Sequence, residues 1–261
     1  MKGFAPGSQK ARLFRHGALL LFFPMLLVSV FGARDASYSD TKGEGNALVQ
    51  EILTSVPVED SQILGLLKIR PNEGAIKEVP IRMTVKTVEG GWDDVYETQP
   101  VKGRPGEVFI VKHRGTNPNE YLFGTYATVD EKPNLKKLSL QELYQPLAGS
   151  DFFLMDLSLG FLHWPSQKIV KKEMRKSRSC RVVESINPEP NRGPYRRVLT
   201  WIDFETNGII LAEAYDQKGE KLKEFSIQKF DRKEKRLREM RIMNDQTESR
   251  TTLELNFKVE K

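Results

Sequence analysis

Cysteine is nearly missing from this chain: 261 residues contain one, Cys180. A single thiol excludes an internal disulfide and any cysteine-rich metal site, so stability must come from the core. Histidine is almost as scarce, and beyond residue 32 only His113 and His163 remain. Neither belongs to an H-E-x-x-H zinc motif, and no EF-hand spacing occurs, so neither metal nor cofactor is expected. Gly43 and Gly45 form a G-x-G with no third glycine, which is no phosphate loop. No G-x-S-x-G elbow or S-x-x-K constellation is present, and the chain is expected not to be an enzyme.

Long apolar runs are missing too, except at the start. Lys2, Lys10, Arg12 and Arg15 precede GALLLFFPMLLVSVFGA, in which Pro24 and Ser29 are the only interruptions. Basic flank, apolar stretch, and small Val30 and Gly32 before Ala33 have the form of a secretory leader over residues 1–32. The stretch of roughly sixteen residues is short of the about 20 that a spanning helix needs, although a retained anchor is the other reading. No cysteine stands near the cut to carry a lipid. The expected location is the periplasm.

Charge of one sign is in small excess. The net +6 falls to +2 once the four cations of the leader are set aside, which gives nucleic acid little to hold. The local exception is Lys168, Lys171, Lys172, Arg175, Lys176, Arg178 and Arg181, with Glu173 the sole acid among them. Such a run is either the solvated face of a hairpin or a patch for anionic head groups or an acidic partner. Lys171, Lys172, Arg175, Lys176 and Arg178 are the candidates for that patch.

What is there is mostly β pattern. Residues 33–45 read as a flexible polar lead-in. Asn46 then caps an expected helix whose Leu48, Val49, Ile52, Leu53 and Val56 form one stripe, ended by Pro57. From Gln62 the period becomes two, as where Val79, Ile81, Met83 and Val85 alternate with Pro80, Arg82, Thr84 and Lys86. Similar runs recur from 62–70 to 250–259, joined by turn residues such as Glu89-Gly90-Gly91 and Gln217-Lys218-Gly219-Glu220. Strands in succession without helices between them predict an antiparallel meander of about 11–12 strands. The expected fold is mainly β: a large curved sheet forming an unclosed barrel covered by short helices, as a single domain over 46–261.

One interval, about 130–167, breaks the meander. It begins with a short helix at 139–144, where Ser139 caps and Glu142 reciprocates, and continues as GSDFFLMDLSLGFLHWPSQ. Ser158 and His163 lack the partners of a hydrolytic site. Phe152, Phe153, Leu154, Leu157, Phe161 and Trp164 carry more apolar area than a short segment needs. They either fill a core or close over a greasy ligand. If the sheet curls, alternation puts Ile81, Met83, Val85, Phe109, Val111, Phe225 and Ile227 on its concave face. An acyl chain is the ligand such a lining would take.

The blocks Gly149-Ser150-Asp151-Phe152 with Asp156-Leu157, Tyr195-Arg196-Arg197-Val198 with Trp201-Ile202-Asp203, and Tyr215-Asp216 through Gly219 to Leu222-Lys223 follow in order. In these, the chain from Gln62 to Phe257 resembles the LolA-like outer membrane lipoprotein-sorting proteins. The resemblance implies an unclosed barrel closed over by helices and a periplasmic role in holding lipidated proteins or lipids bound for the outer membrane. It also implies that Trp201 and Tyr195 pack in or line the sheet and that Asp151 fixes the start of the lid. Phe153-Leu154-Met155 departs from the family block, which is commonly polar there. The function expected is thus a carrier of lipid or lipidated protein, with an envelope donor or acceptor and transient membrane contact. The alternative is a non-catalytic sensing or structural module of the envelope that binds a partner protein.

Overall fold

The computed structural model describes residues 42–256 apart from 102, 115–116 and 232–235, so the expected leader and all but the end of the lead-in lie outside the described residues. One antiparallel sheet of 13 strands dominates, slightly more strands than the periodicity predicts. β1 (Ser61–Arg70) starts in the middle of it. β2 (Lys77–Val88), β3 (Gly91–Thr98), β4 (Gly106–Arg114), β5 (Asn117–Tyr126) and the two-residue β6 (Lys136–Lys137) follow outward to one edge. The chain then crosses to the opposite edge. There β7 (Ser166–Arg175) opens a second meander through β8 (Arg178–Ile186), β9 (Arg197–Asp203), β10 (Ile209–Tyr215), β11 (Lys221–Asp231) and β12 (Arg236–Asn244). β13 (Ser249–Asn256) returns to pair with β1, from Leu64 opposite Asn256 to Arg70 opposite Arg250.

Among the described residues no pairing joins the β6 edge to the β7 edge, so the barrel is unclosed. The segment between β6 and β7 has to traverse the sheet from edge to edge. The long interval seen in the sequence is that crossover.

The alternation works as the sequence suggests. On β2, Val79, Ile81, Met83 and Val85 are buried, while Pro80 and Lys86 are exposed. Residues directly opposite one another share a face. One row therefore runs Ile63, Met83, Tyr96, Phe109, Phe123, and another Val79, Leu67, Leu253, Met240, Ile227. Apart from half-buried Phe123, every one of these is buried. This inner face holds the main core.

Helix α1 (Lys42–Leu53) begins four residues before the expected Asn46 cap, which is inside it. Packing decided the start. Gly45 lies so close to β7 that a Cβ would stand 2.6 Å from the Gln167 carbonyl oxygen. Leu48 and Val49 are buried, but Val56 falls beyond the helix end and is 59% exposed. The hydroxyls of Thr54 and Ser55 turn back onto the Gln50 and Glu51 carbonyls and compete with further helix. The expected helix at 139–144 is a single 3-10 turn, Glu142–Tyr144. Its Ser139–Glu142 pairing is present, with Ser139 N and Oγ donating to Glu142 Oε2 at 2.7 and 2.8 Å. Among the described residues no helix is long and apolar enough to cross a membrane.

Candidate functional site beneath the crossover

The crossover is built of single turns around a short helix, α2 (Leu154–Leu157). Leu147, Phe152, Leu154, Met155, Leu157, Phe161 and Leu162 are buried against the inner face. Phe152 meets Phe225 of β11 edge to face, with ring centroids 6.3 Å apart. Two non-glycine residues, Ala148 (φ 59) and Leu159 (φ 50), adopt left-handed backbone. Such conformations cost energy and persist only where the surroundings hold them.

Polar side chains of the sheet supply that hold. From β4, Glu107 Oε2 accepts the Ala148 N–H at 2.7 Å, and Arg104, just before that strand, donates to the Ala148 carbonyl. From β3, the Tyr96 hydroxyl donates to the Leu157 carbonyl at 2.9 Å. Gln167 of β7 donates to the carbonyls of Phe161, Leu162 and Trp164 at 3.1, 3.2 and 2.9 Å, while its Oε1 accepts Ser185 Oγ at 2.6 Å. Irregular backbone inside a protein needs partners of this kind, because an unpaired buried carbonyl is costly.

Asp151 and Asp156 have equally definite roles. Both Asp151 carboxylate oxygens accept hydroxyls of β13, Ser249 Oγ at 2.5 Å and Thr251 Oγ1 at 2.7 Å, and Thr251 Oγ1 accepts the Asp151 N–H at 2.9 Å. Asp156 Oδ1 accepts the Tyr195 hydroxyl at 2.8 Å, and Oδ2 accepts the Phe153 N–H at 2.8 Å. Between the two acids lies Lys223 of β11, only 3% exposed. Its Nζ donates to the Asp151 carbonyl at 2.6 Å, stands 3.5 Å from Asp156 Oδ2, and lies 2.9 Å from the Phe153 ring centroid. Burial holds this ammonium below the ordinary lysine value, against the pull of Asp156 and Asp151. Burial, and then the Asp156 charge, push the Tyr195 phenol well above its ordinary value. A buried cation and carboxylate are thus sealed under the lid with their hydrogen bonds made.

The space left is small. A cleft of about 20 Å³ remains between Asp156, Leu159, Phe161 and Tyr195 above and Val198, Ile209, Ala212, Lys223, Phe225 and Ile242 of the sheet. That is room for about one water. A wider, open groove of about 520 Å³ flanks the crossover at the β6 edge, lined by Phe123, Leu138, Tyr144, Lys136 and Lys137 among others.

The sequence-derived lining falls into two sets. Ile81, Met83, Val85, Phe109, Val111, Phe225 and Ile227 all share the inner face by register. Phe152, Leu154, Leu157 and Phe161 are buried beneath the crossover, while Phe153 and Trp164 are half-buried at its rim. Trp201 does not join them. It packs with Cys180, Val182 and Leu211 in a separate cluster on the opposite face, its Nε1 donating to Glu173 at 2.5 Å. Thr200, Trp201, Ile202 and Asp203 are all buried, so alternation along β9 gives no signal of which face is which. Tyr195 is buried beneath the lid. Ser158 donates to the Met155 carbonyl and His163 Nε2 is bonded to Asn119, so the two do not bond each other. Lys171, Lys172, Arg175, Lys176 and Arg178 all belong to the β7–β8 hairpin, away from the cleft. Sequence reasoning gave no role to Thr251, Ser249, Gln167, Glu107 or Lys223, although Gln167 and Lys223 stand in stretches it singled out; the further signal for Lys223 is a lysine on the same strand parity as Phe225 and Ile227.

An unclosed antiparallel sheet whose inner face is crossed by an apolar lid is the LolA-like fold. A domain from Vibrio parahaemolyticus, provisionally described as an outer membrane lipoprotein-sorting protein, is similar with a TM-score of 0.66 at 20% identity, covering 85% of this chain and 96% of that one. A DUF1329 family protein from Desulfovibrio piger gives 0.66 at 16% identity, over 84% of this chain and 92% of the other. A LolA superfamily protein from Nitrosomonas europaea gives 0.56 at 17%, over 83% and 91%. A family model described as "-like: Uncharacterized protein" matches residues 131–260. No curated protein matches.

Proposed function

We propose that the protein is a non-catalytic carrier of lipid or lipidated protein in the periplasm, working in outer membrane lipoprotein sorting, with residues 1–32 removed on export. The observation that carries the reading is the continuous apolar inner face covered by one crossover that polar side chains pin in place. The structural relatives described as lipoprotein-sorting and LolA superfamily proteins support it.

A 20 Å³ cleft cannot hold an acyl chain beside the lid, so cargo enters by displacing it. The magnitudes permit such an exchange. Lifting Phe152, Leu154, Leu157 and Phe161 exposes four large side chains at about 1.5–3 kcal/mol each. Burying about 14 methylenes at roughly 0.8 kcal/mol each returns a similar amount. Near balance is what loading and release require, because a much deeper well would trap the cargo.

The test is recovery of the protein from an exporting cell, mass spectrometry of what copurifies, and uptake of a labelled singly acylated peptide. Carriage predicts bound acyl lipid or saturable uptake, lost when Phe225 and Ile227 on the inner face become Asp. Bare protein with no uptake sinks the reading.

A second reading has one observation in its favour, the filled interior. An envelope module that recognises a partner protein would keep its crossover shut. Amide exchange across 152–162 that stays slow, and unchanged by lipid, while a partner protein is captured elsewhere on the surface, would select it.

A further inference from the structure

The β7–β8 hairpin, residues 166–186, contains seven cations and two acids. It therefore carries +5, whereas the rest of residues 33–261 carries −3, given their total of +2. The same hairpin projects apolar side chains into water. Met174 is 65% exposed, and Phe204, which follows β9, is 43% exposed. They stand side by side: Ser179 is opposite Met174 in the ladder, and its carbonyl accepts the Phe204 N–H at 2.9 Å. Two cations flank Phe204. The Arg181 guanidinium is 4.6 Å and the Lys172 ammonium 5.4 Å from the Phe204 ring centroid. Glu173 and Arg175 turn the other way, onto Trp201, and Lys176 donates to the carbonyl of Ile227 on β11. The tip is braced on one face and leaves Met174 and Phe204 uncovered on the other.

Exposed thioether and phenyl groups beside two cations match the layered chemistry of an anionic bilayer, apolar below and negative at the surface. A purely polar acidic partner would have no use for the two apolar groups. We propose that the β7–β8 hairpin, with Phe204, is the docking surface by which the protein meets an anionic lipid membrane. This rests on the hairpin alone, so it stands or falls separately from the carrier reading.

The experiment is cosedimentation of the exported protein with vesicles of phosphatidylcholine alone or containing phosphatidylglycerol, across a salt series. Each cation at a charged surface is worth roughly a fivefold change in partition. Lys172→Glu with Arg181→Glu is expected to cut partition onto the phosphatidylglycerol vesicles by at least about tenfold. The charge-matched control, Lys86→Glu with Lys218→Glu, at exposed sites outside the hairpin, is expected to behave like wild type apart from a small general effect. Met174→Ser with Phe204→Ser is expected to remove the part of binding that survives high salt. Thermal unfolding of each variant distinguishes lost docking from lost fold. Equal loss in hairpin and control variants reduces the effect to net charge and overturns the proposal. So does absence of wild-type binding to the anionic vesicles, which would assign the patch to an acidic protein instead. Lipid uptake measured on the same variants stays at the wild-type level whether docking succeeds or fails.

Discussion

Lys223 occupies an inward position on a strand whose next inward residues are Phe225 and Ile227, and it is tolerated there because the crossover brings Asp156 and the Asp151 carbonyl to it. Removing one member of a buried pair strands the other charge, at about 3–5 kcal/mol. Asp156→Asn is therefore expected to lower unfolding free energy by about that amount in a urea titration. Lys223→Met should cost less. Asp156 would keep its bonds from Tyr195 and Phe153, and Met retains much of the volume. Equal losses would mean that the cation and carboxylate are not a coupled unit. Titration of Tyr121 is a second prediction at this scale. Burial pushes its phenol up to about 12 from the ordinary 10.0. A raised folded value means the folded state keeps its proton longer, so the stabilising contribution is full below pH 10 and lost as pH rises through about 12. Tyr121→Phe should make the fall of stability above pH 10 shallower, as read by circular dichroism at increasing pH.

The crossover is held less by helix propensity than by its contacts with five strands, β3, β4, β7, β11 and β13. Its α-helix is four residues long, too short to be stable alone. Gln167 donates to three of its carbonyls, of which that of Phe161 also accepts the Trp164 N–H. Gln167→Leu preserves bulk but takes the side-chain donor from the Leu162 and Trp164 carbonyls and leaves that of Phe161 with the Trp164 N–H, at about 1–3 kcal/mol for a group that stays dry. The expected result is faster amide exchange over 160–164, with the β1–β4 core unchanged. Exchange that accelerated everywhere would show that the lid and the sheet open as one unit. The β7–β8 hairpin is the opposite kind of element. Its outer turn, Lys176–Ser177, has both residues at positive φ, and its tip is fixed by side chains rather than by a core.

Across the molecule, the path of the chain explains why covering and covered parts belong together. Each meander starts or ends at the β1–β13 seam, and the chain passes from one far edge to the other across the inner face. If the protein is the carrier proposed above, loading by lid displacement leaves the sheet intact, and cargo should protect inner-face amides while deprotecting those of 152–162. Hydrogen exchange with and without a lipidated peptide checks this. Simultaneous protection of both regions would mean that cargo sits outside a lid that never moves.

Much of this was legible from the residues alone. Period-two alternation set the strands, and parity put Ile81, Met83, Phe109 and Phe225 on one face. The apolar excess of 152–161 marked the cover. Side-chain direction along a strand is a local property, so one stretch of sequence determines it. Tertiary structure decided the rest. That β13 closes onto β1, that Asp151 meets Thr251 from 100 positions away, and that Lys223 finds Asp156 from 67 away follow from strand order, which local periodicity does not contain. Trp201 makes the same point from the other side. Both faces of β9 are buried, so parity lost its meaning there, and only the packed molecule settled which face the indole covers.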